Sequence, residues 1–275
     1  MRKIDNTNYQ DIANEVRRFI LRMHAKSGSS HIASSFSCVE ILVALYFGIM
    51  RLNPSNPFDP GMDRFILSKG HAASALYAVL ALRGFFPKKF LSNYCMEGGI
   101  PGHSSKGCLP GVEVTTGSLG HGLSMGVGIA LAGKHDKADY RVFVLLSDGE
   151  CEEGSVWEAA IFASHHHLDN LVAIVDYNKM QALGPTERIL SLEPFAEKWK
   201  SFNWEVKEIQ GHNIKEIIDA SKEIPFSSNK PSVLIAHTIK GKGVSFMENN
   251  ILWHYKSPGS QELKLGLKEL RDKRK

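Results

Sequence analysis

Two continuous apolar runs occupy the middle of the chain. Residues 141–146 and 171–176 each predict a strand without polar alternation, which is the pattern of a parallel sheet covered by helices on both faces. The segment between them, 155–168, predicts a helix. A strand, a helix and a second strand joined by short loops form a βαβ crossover. These residues therefore predict the centre of a parallel sheet.

The rest of the chain continues this alternation of strands and helices. The predicted strands are 64–67, 204–209 and 233–238, and the predicted helices are 9–27, 38–49, an Ala/Leu-rich segment ending near 83, and 213–222. A polar loop at 27–35 and a glycine-rich loop at 97–121 interrupt them. We expect a doubly wound α/β fold with a mainly parallel sheet and helices on both faces. It should form a single domain over residues 1–275, with a C-terminal helical extension from about 258.

The composition fits such a domain. Apolar residues make up 43% of the 275 positions, enough for a full core. The formal charge is +4, and we interpret its C-terminal cations as a solvated helix end rather than a tail that binds nucleic acid or membranes. These cations are Lys264, Lys268, Arg271, Lys273, Arg274 and Lys275.

No segment predicts secretion or a membrane span. The N-terminus has no apolar run, and no stretch approaches the roughly 18 apolar residues that a spanning helix needs. The four cysteines, Cys38, Cys95, Cys108 and Cys151, form no CxxC pair. Such cysteines are typical of reduced thiols in the cytoplasm, where we expect the protein to act.

Polar residues follow both strands of the crossover. Asp148 and Gly149 stand at the end of the first strand and Asn178 just past the second. The ligand edge of an open α/β sheet lies at these carboxyl ends, so the two side chains can converge. A carboxylate, an amide oxygen and a nearby carbonyl suit Mg²⁺ bound to a phosphate, although Asp148-Gly149 can also be an ordinary turn. We expect a positive dipole from the helix that follows Gly149 to favour an anion.

Five histidines lie in loops or beside turns, where imidazoles can bind phosphate and hydroxyl oxygens. Zinc is a competing interpretation, but HExxH and paired Cys/His spacings are missing. The neighbouring run His165-His166-His167 lies late in a predicted helix, for which we favour a structural role. The five loop histidines are His31, His71, His103, His121 and His254.

Taken together, these segments resemble the N-terminal part of transketolase along nearly the whole chain and in the family's order. The run from Ser147 to Asn178 resembles the thiamine-diphosphate motif, Gly-Asp-Gly followed by Asn after a helix and a strand. The other matching segments are Ser27–Ser35, Leu67-Ser68-Lys69-Gly70-His71-Ala72, Pro101-Gly102-His103, Thr115–Gly122, Thr238-Ile239-Lys240-Gly241-Lys242-Gly243 and Trp253-His254.

The resemblance implies a role for each matching residue. Asp148, Asn178 and the carbonyl of Met180 would hold Mg²⁺, or Ca²⁺ or Mn²⁺ in its place. The thiamine diphosphate would be bound by His71, Gly117, Leu119, Asp148, Gly149, Glu150, Asn178 and His254. His31, His103 and His254 would face the substrate, bind its hydroxyls and relay protons. Glu153 and Glu158 match acidic residues at the family's subunit interface, although carboxylates near a helix start are also favoured without such a role.

The sequence departs from the family pattern in three places, which involve four residues. Ser147 replaces the first motif glycine, Tyr255 stands where glycine usually follows the histidine, and Ala33 and Ser34 replace common glycines. The latter two put the substrate in doubt more than the cofactor.

The chain also lacks the pyrimidine-binding domain of a complete transketolase, including its glutamate. The resemblance therefore implies the N-terminal subunit of a split transketolase, active only with a separate C-terminal subunit in a heterotetramer. Its reaction would move a two-carbon ketol unit from a ketose phosphate to an aldose. The alternatives are another thiamine-diphosphate enzyme, such as one resembling deoxyxylulose-phosphate synthase or a 2-oxo-acid dehydrogenase subunit, and a non-catalytic cofactor-binding subunit.

Overall fold

A computed structural model describes residues 6–271 as a five-stranded parallel sheet flanked by helices. The strands are β1 (Arg64–Leu67), β2 (Val142–Ser147), β3 (Leu171–Tyr177), β4 (Glu205–Gln210) and β5 (Ser232–His237), in the order β1-β2-β3-β5-β4. The expected α/β fold is confirmed. The predicted cations at 273–275 lie outside the described residues.

Ten α-helices connect and cover the described strands. They are α1 (Asn6–Ser27), α2 (Ile32–Ser37), α3 (Val39–Ala44), α4 (Ala73–Arg83), α5 (His121–His135), α6 (Gly154–His165), α7 (Thr186–Ile189), α8 (Phe195–Ser201), α9 (Ile214–Lys222) and α10 (Ser260–Glu269). Short 3₁₀ segments add Gly70–Ala72, Lys88–Asn93, Gly149–Glu152 and Ile251–His254, and a π-helical segment spans Leu45–Ile49.

Alternate side chains of the central strands enter two separate cores. Phe143 and Leu145 of β2 join α1, α3, α4 and α9 on one face, whereas Val142, Val144 and Leu146 join α5, α6 and α8 on the other. Both faces of β2 are therefore covered by helices, which explains why its first five residues, 142–146, are all apolar.

Glycines bring helix α5 unusually close to the sheet. A Cβ atom on Gly126 would lie 2.5 Å from Val144 Cγ2, and one on Gly122 would lie 2.2 Å from Ser68 Oγ. Only a residue without a side chain fits at such distances. The helix start is thereby held beside the end of β1.

One predicted loop was wrong. The segment 27–35 includes the start of α2, whose six residues are all buried and which packs against α4 and the 3₁₀ segment Gly70–Ala72. The helix predicted at 155–168 is confirmed as α6, which begins at Gly154. The 3₁₀ segment Gly149–Glu152 precedes it, so the positive end of the α6 dipole lies beyond Gly149.

The predicted C-terminal helix is α10, which packs on α1. Arg18 Nη1 donates to the Leu270 carbonyl over 2.8 Å, and Gly266 lies against Leu21. Within residues 6–271, no helix has the length and apolar character needed to cross a membrane.

Candidate active site

A cavity of about 270 Å³ opens at the carboxyl ends of the strands, where open α/β sheets bind ligands. Segments that follow β1, β2, β3 and β5 all reach it. It brings together ten residues that the sequence predicted for the site: His31, His71, His103, Gly117, Leu119, Asp148, Gly149, Asn178, Met180 and His254.

One side of the cavity, which we call the strand-end wall, consists of Asp148, Gly149, Asn178 and Met180. Asp148 Oδ1 accepts a hydrogen bond from Gly149 N over 2.8 Å, and its Oδ2 accepts one from Lys179 N over 2.5 Å. Asn178 Oδ1 accepts from Met180 N over 3.1 Å. Because β2 and β3 are neighbours in register, these two loops meet at one point.

Two titratable groups at this wall, Asp148 and Lys240, have shifted pKa values. Burial, followed by the nearby Asp176 carboxylate, raises the pKa of Asp148 to about 6. Lys240 Nζ donates to the Met180 carbonyl over 3.1 Å, although burial lowers the pKa of this lysine to about 8. An ammonium group thus lies at the carbonyl that we predicted as a metal ligand. The oxygen set of Asp148, Asn178 and Met180 fits Mg²⁺, which prefers such hard ligands.

A buried ion pair lies beneath the same wall. Lys69 Nζ pairs with Asp176 and also donates to the Ser34 carbonyl over 3.0 Å. Asp176 further accepts from Ser37 and Thr238. Burial alone would raise the pKa of Asp176, but Lys69 and these hydrogen bonds hold it below its usual value.

No site role was predicted for Lys69, Asp176 or Lys240. A usable signal was present, because a carboxylate that ends an apolar strand must find a partner when it is buried. The identity of that partner depends on the fold.

A second group of lining residues, which we call the histidine wall, consists of His31, His71, His103 and His254. The His31 ring centroid lies 5.4 Å from that of His71, 5.9 Å from that of His103 and 4.9 Å from that of His254. His31 N donates to the His254 carbonyl over 2.7 Å, which ties the two loops together. The four rings therefore present one cluster of imidazole nitrogens.

The environment keeps three of these rings neutral. Burial, then the charges of His103 and Lys240, lowers the pKa of His31 to about 4. Burial and then Lys240 lower that of His254 to about 3, and burial holds the pKa of His71 well below its usual range. A neutral imidazole can donate one hydrogen bond and accept another. His254 Nδ1 is buried without a hydrogen-bond partner, as expected of a group that awaits a ligand.

Two glycines of the cavity leave room for a ligand. Gly117 has φ of +150°, and a Cβ atom there would lie 3.2 Å from the His103 ring. A Cβ atom on Gly149 would meet Gln181 at 3.2 Å. A side chain at either position would occupy space beside the polar atoms, so the backbone itself can approach a bound anion.

Glu150 is the predicted cofactor-binding residue that does not line the cavity. Its buried carboxylate accepts from Ser68 Oγ over 2.5 Å, Gly120 N over 3.0 Å and Ser147 N over 3.2 Å. It therefore joins the loops after β1 and β2 and shapes the site from behind.

Other polar residues that we had singled out lie on the surface. His121, Glu153 and Glu158 are exposed. The run from His165 to His167 is exposed as well, so the structural role that we favoured does not involve packing in the core.

The three departures from the family pattern lie at or beside the cavity. Ser147 lines it and is only 7% exposed. Tyr255 is 63% exposed, and its ring centroid lies 4.7 Å from that of His254 and 6.2 Å from that of His31. Ala33 is buried in α2, and its carbonyl accepts from Gly241 N over 3.0 Å.

The described part of the chain contains no ligand set of the kind that the zinc interpretation requires. Among residues 6–271, no group of three or more His, Cys, Asp or Glu side chains is placed to hold a metal ion. The oxygen set at the strand-end wall has one carboxylate, one amide and one carbonyl, and so differs in kind from such a group.

Fold and cavity together define an α/β protein with a polar ligand site at the carboxyl ends of its parallel strands. Comparison with known proteins identifies the family. The family described as "Transketolase, thiamine diphosphate binding domain" matches residues 8–271. The chain is 43% identical over 258 residues to an apulose-4-phosphate transketolase subunit of Phocaeicola vulgatus, covering 94% of this chain and 92% of that one.

Two further comparisons agree. The chain is 44% identical over 246 residues to 6-deoxy-6-sulfo-D-fructose transketolase subunit SqwG of Clostridium sp., covering 89% and 90% of the two chains. The solved transketolase of Campylobacter jejuni superposes with a TM-score of 0.91 at 30% identity, covering 97% of this chain and 43% of that chain.

The chain belongs to the transketolase family and corresponds to its thiamine diphosphate-binding domain. The resemblance drawn from the sequence motifs is thereby confirmed. The chain spans about two fifths of the length of the solved transketolases it matches, but nearly the whole length of the relatives that are named as transketolase subunits.

Proposed function

We propose that this chain binds thiamine diphosphate with Mg²⁺ and, together with a separate C-terminal transketolase subunit, transfers a two-carbon ketol unit from a ketose phosphate to an aldose acceptor. The observation that carries the proposal is that Asp148, Asn178 and Met180 line the same cavity as the four clustered histidines. The reduced, unpaired cysteines favour the cytoplasm as its compartment.

The strand-end wall would hold the metal and the diphosphate. Asp148, Asn178 and Met180 supply oxygen ligands for Mg²⁺, with Ca²⁺ or Mn²⁺ as substitutes. Lys240 would then turn from the Met180 carbonyl toward the diphosphate, whose charge it complements. Gly117, Leu119, Gly149 and His71 would border the same end of the cofactor.

Three residues of the histidine wall, His31, His103 and His254, would bind the sugar. Bound thiamine diphosphate supplies the carbon nucleophile that breaks and forms the carbon–carbon bond. Because His31 and His254 are neutral near pH 7, each can donate a hydrogen bond to one hydroxyl and accept one from another. With His103, they would relay protons between substrate hydroxyls during the transfer.

The partner would bind around the mouth of the cavity. Leu252 and Tyr255 flank the site residue His254, Leu183 follows the lining residue Ala182, and the three are 68%, 63% and 77% exposed. Exposed apolar groups around a polar pocket are typical of protein interfaces. Several matched relatives are named as subunits, which points to an enzyme of more than one chain, and we propose a heterotetramer with two copies of each chain.

A reconstitution assay tests the proposal. The purified chain is mixed with the candidate C-terminal subunit, thiamine diphosphate and Mg²⁺, and supplied with a panel of ketose phosphates and aldoses. We expect ketol transfer only when both chains and both cofactors are present. If no donor is turned over although the cofactor binds, the chain is a non-catalytic subunit, and the proposed activity is wrong.

A further inference from the structure

The segment that carries Lys240 into the cavity is held by anchors on several sides. Thr238 N donates to the Tyr177 carbonyl over 3.1 Å, and Gly241 N donates to the Ala33 carbonyl over 3.0 Å. Between them, Ile239 N donates to His212 Nε2 over 2.8 Å. The residue next to Lys240 is therefore held by a side chain that lies outside the cavity.

The two contacts of His212 define its protonation state. A backbone N–H can only donate, so Nε2 of His212 must be the acceptor for Ile239. The hydrogen then resides on Nδ1, which lies 2.9 Å from Glu40 Oε2 and donates to it. Only the neutral Nδ1–H tautomer satisfies both contacts.

A buried ion pair holds the partner of His212 in place. Arg17 Nη1 and Nη2 donate to the two carboxylate oxygens of Glu40 over 2.6 and 2.7 Å, and both side chains are almost fully buried. Burial alone would raise the pKa of Glu40, but Arg17 and His212 lower it to about 2. Glu40 therefore remains an acceptor at any ordinary pH.

Close backbone contact brings the two loops within reach. Gly211 N donates to the His237 carbonyl over 2.9 Å, and a Cβ atom on Gly211 would lie 2.4 Å from Thr238 Cγ2. On the far side, a Cβ atom on Gly243 would lie 2.9 Å from Arg17 Cδ. The segment from Thr238 to Gly243 is thus fitted against the Arg17, Glu40 and His212 group at both of its ends.

We propose that His212 is a positioning residue for the cofactor site. Held by Glu40 in one tautomer, it accepts the Ile239 amide hydrogen and fixes the direction in which Lys240 projects into the cavity. This inference rests on the proposed function only where it names thiamine diphosphate as the ligand of Lys240. The same orienting arrangement, in which a carboxylate sets the tautomer of a histidine, fixes histidine ligands in metal sites.

Two substitutions at His212 separate its two contacts. In His212→Gln, the longer amide places an oxygen near the position of Nε2 and can still accept from Ile239. In His212→Asn, the shorter amide can donate to Glu40 but does not reach Ile239. His237→Asn is the matched control, because His237 Nε2 pairs with Glu208 over 2.7 Å at the same end of the sheet without contacting Ile239.

Amide hydrogen exchange in the cofactor-free chain tests the anchor itself. We expect His212→Asn to lower the protection of Ile239 about tenfold, the effect of one lost hydrogen bond, and His212→Gln and His237→Asn to preserve it. Equal protection in the Asn and Gln variants would overturn the anchor.

Cofactor affinity tests whether the anchoring of Ile239 by His212 matters for ligand binding. By isothermal titration of the full chain with thiamine diphosphate and Mg²⁺, we expect His212→Asn to bind about tenfold more weakly and His212→Gln to retain affinity. When Lys240→Met is already present, adding His212→Asn should cause no further loss of cofactor affinity, because both substitutions act through Lys240. Additive losses would contradict the inference. Failure of the unaltered chain to bind the cofactor would instead contradict the proposed function. The hydrogen-exchange result would still show whether His212 anchors Ile239.

Discussion

The strand-end wall and the histidine wall line one cavity but depend on different parts of the chain. Asp148 and Asn178 follow adjacent strands of a single βαβ unit, so the pairing of β2 with β3 suffices to bring them together. The histidines come from four segments between His31 and His254, joined by contacts such as His31 N to the His254 carbonyl. The first wall is thus a product of local topology, and the second depends on the packing of distant loops.

The chemistry of the two walls differs in the same way. Carboxylate, amide and carbonyl oxygens in the strand-end wall suit a hard cation, whereas the imidazoles of the histidine wall can both donate and accept hydrogen bonds. The difference predicts that substitutions in the two walls will have different effects. Changes in the strand-end wall should act on metal and cofactor binding. Changes in the histidine wall should act on the sugar and on stability in acid.

The largest effect should come from removing the ion pair beneath the strand-end wall. Lys69→Met leaves the carboxylate of Asp176 buried without its cation, and we expect a loss of about 3–5 kcal/mol in the free energy of unfolding. Urea denaturation measures it. Lys215→Met, which removes an exposed ion pair with Asp219, is the control and should change stability little. Equal stability of both variants would mean that Asp176 does not need its partner.

Asp148→Ala should test the role of the strand-end wall in metal and cofactor binding directly. Changes to groups that merely support a metal ligand cost roughly 10- to 100-fold in affinity, so loss of the ligand should weaken Mg²⁺-dependent binding of thiamine diphosphate about 100-fold or more. Isothermal titration measures the affinity, and a melting curve checks the fold. Asp136→Ala, on the exposed surface, serves as the control. Retained affinity in Asp148→Ala would remove the metal assignment.

Acid should destabilise the region of the histidine wall. His24 lies behind it, with Nε2 2.9 Å from Ser74 Oγ, and burial lowers its pKa from 6.5 to about 4. Between these two values the unfolded chain takes up a proton that the folded chain does not, so stability must fall as the pH is lowered through this window. One such group contributes at most about 1.4 kcal/mol per pH unit.

Urea denaturation midpoints at pH 7.5, 6 and 5 measure this dependence. We expect His24→Gln to reduce the slope between pH 6.5 and 4, because the glutamine cannot titrate. An unchanged slope would indicate that His24 is already charged in the folded chain.

The smallest effect should come from Tyr255 at the mouth of the cavity. Tyr255→Gly removes an exposed ring, so we expect the equilibrium constant of unfolding and the cofactor affinity each to change by no more than about twofold. The relative kcat/KM values for different ketose donors should change more, since the ring lies beside His31 and His254. Unchanged donor preference would exclude Tyr255 as a determinant of the substrate.

Apolar runs predicted the central strands more securely than the loops. β2 and β3 are almost entirely apolar because both of their faces are covered, and their observed bounds agree with the prediction within one residue. Helix α2 was missed because Ile32–Ser37 consists mostly of small and polar residues that have no helical pattern of their own. Its six buried side chains acquire their environment only from the surrounding helices.

By itself, the sequence determined the parallel crossover and the proximity of Asp148 and Asn178, because neighbouring strand ends bring them together in any fold of this type. The order of motifs along the chain determined the family. Only the tertiary structure decided that Glu150 faces inward, that Lys69 pairs with Asp176, and that His212 supports the segment of Lys240. The hydrogen bonds by which Glu150, Lys69 and His212 join different segments connect residues from 27 to 172 positions apart. Their partners are selected by burial and packing, which no local pattern encodes.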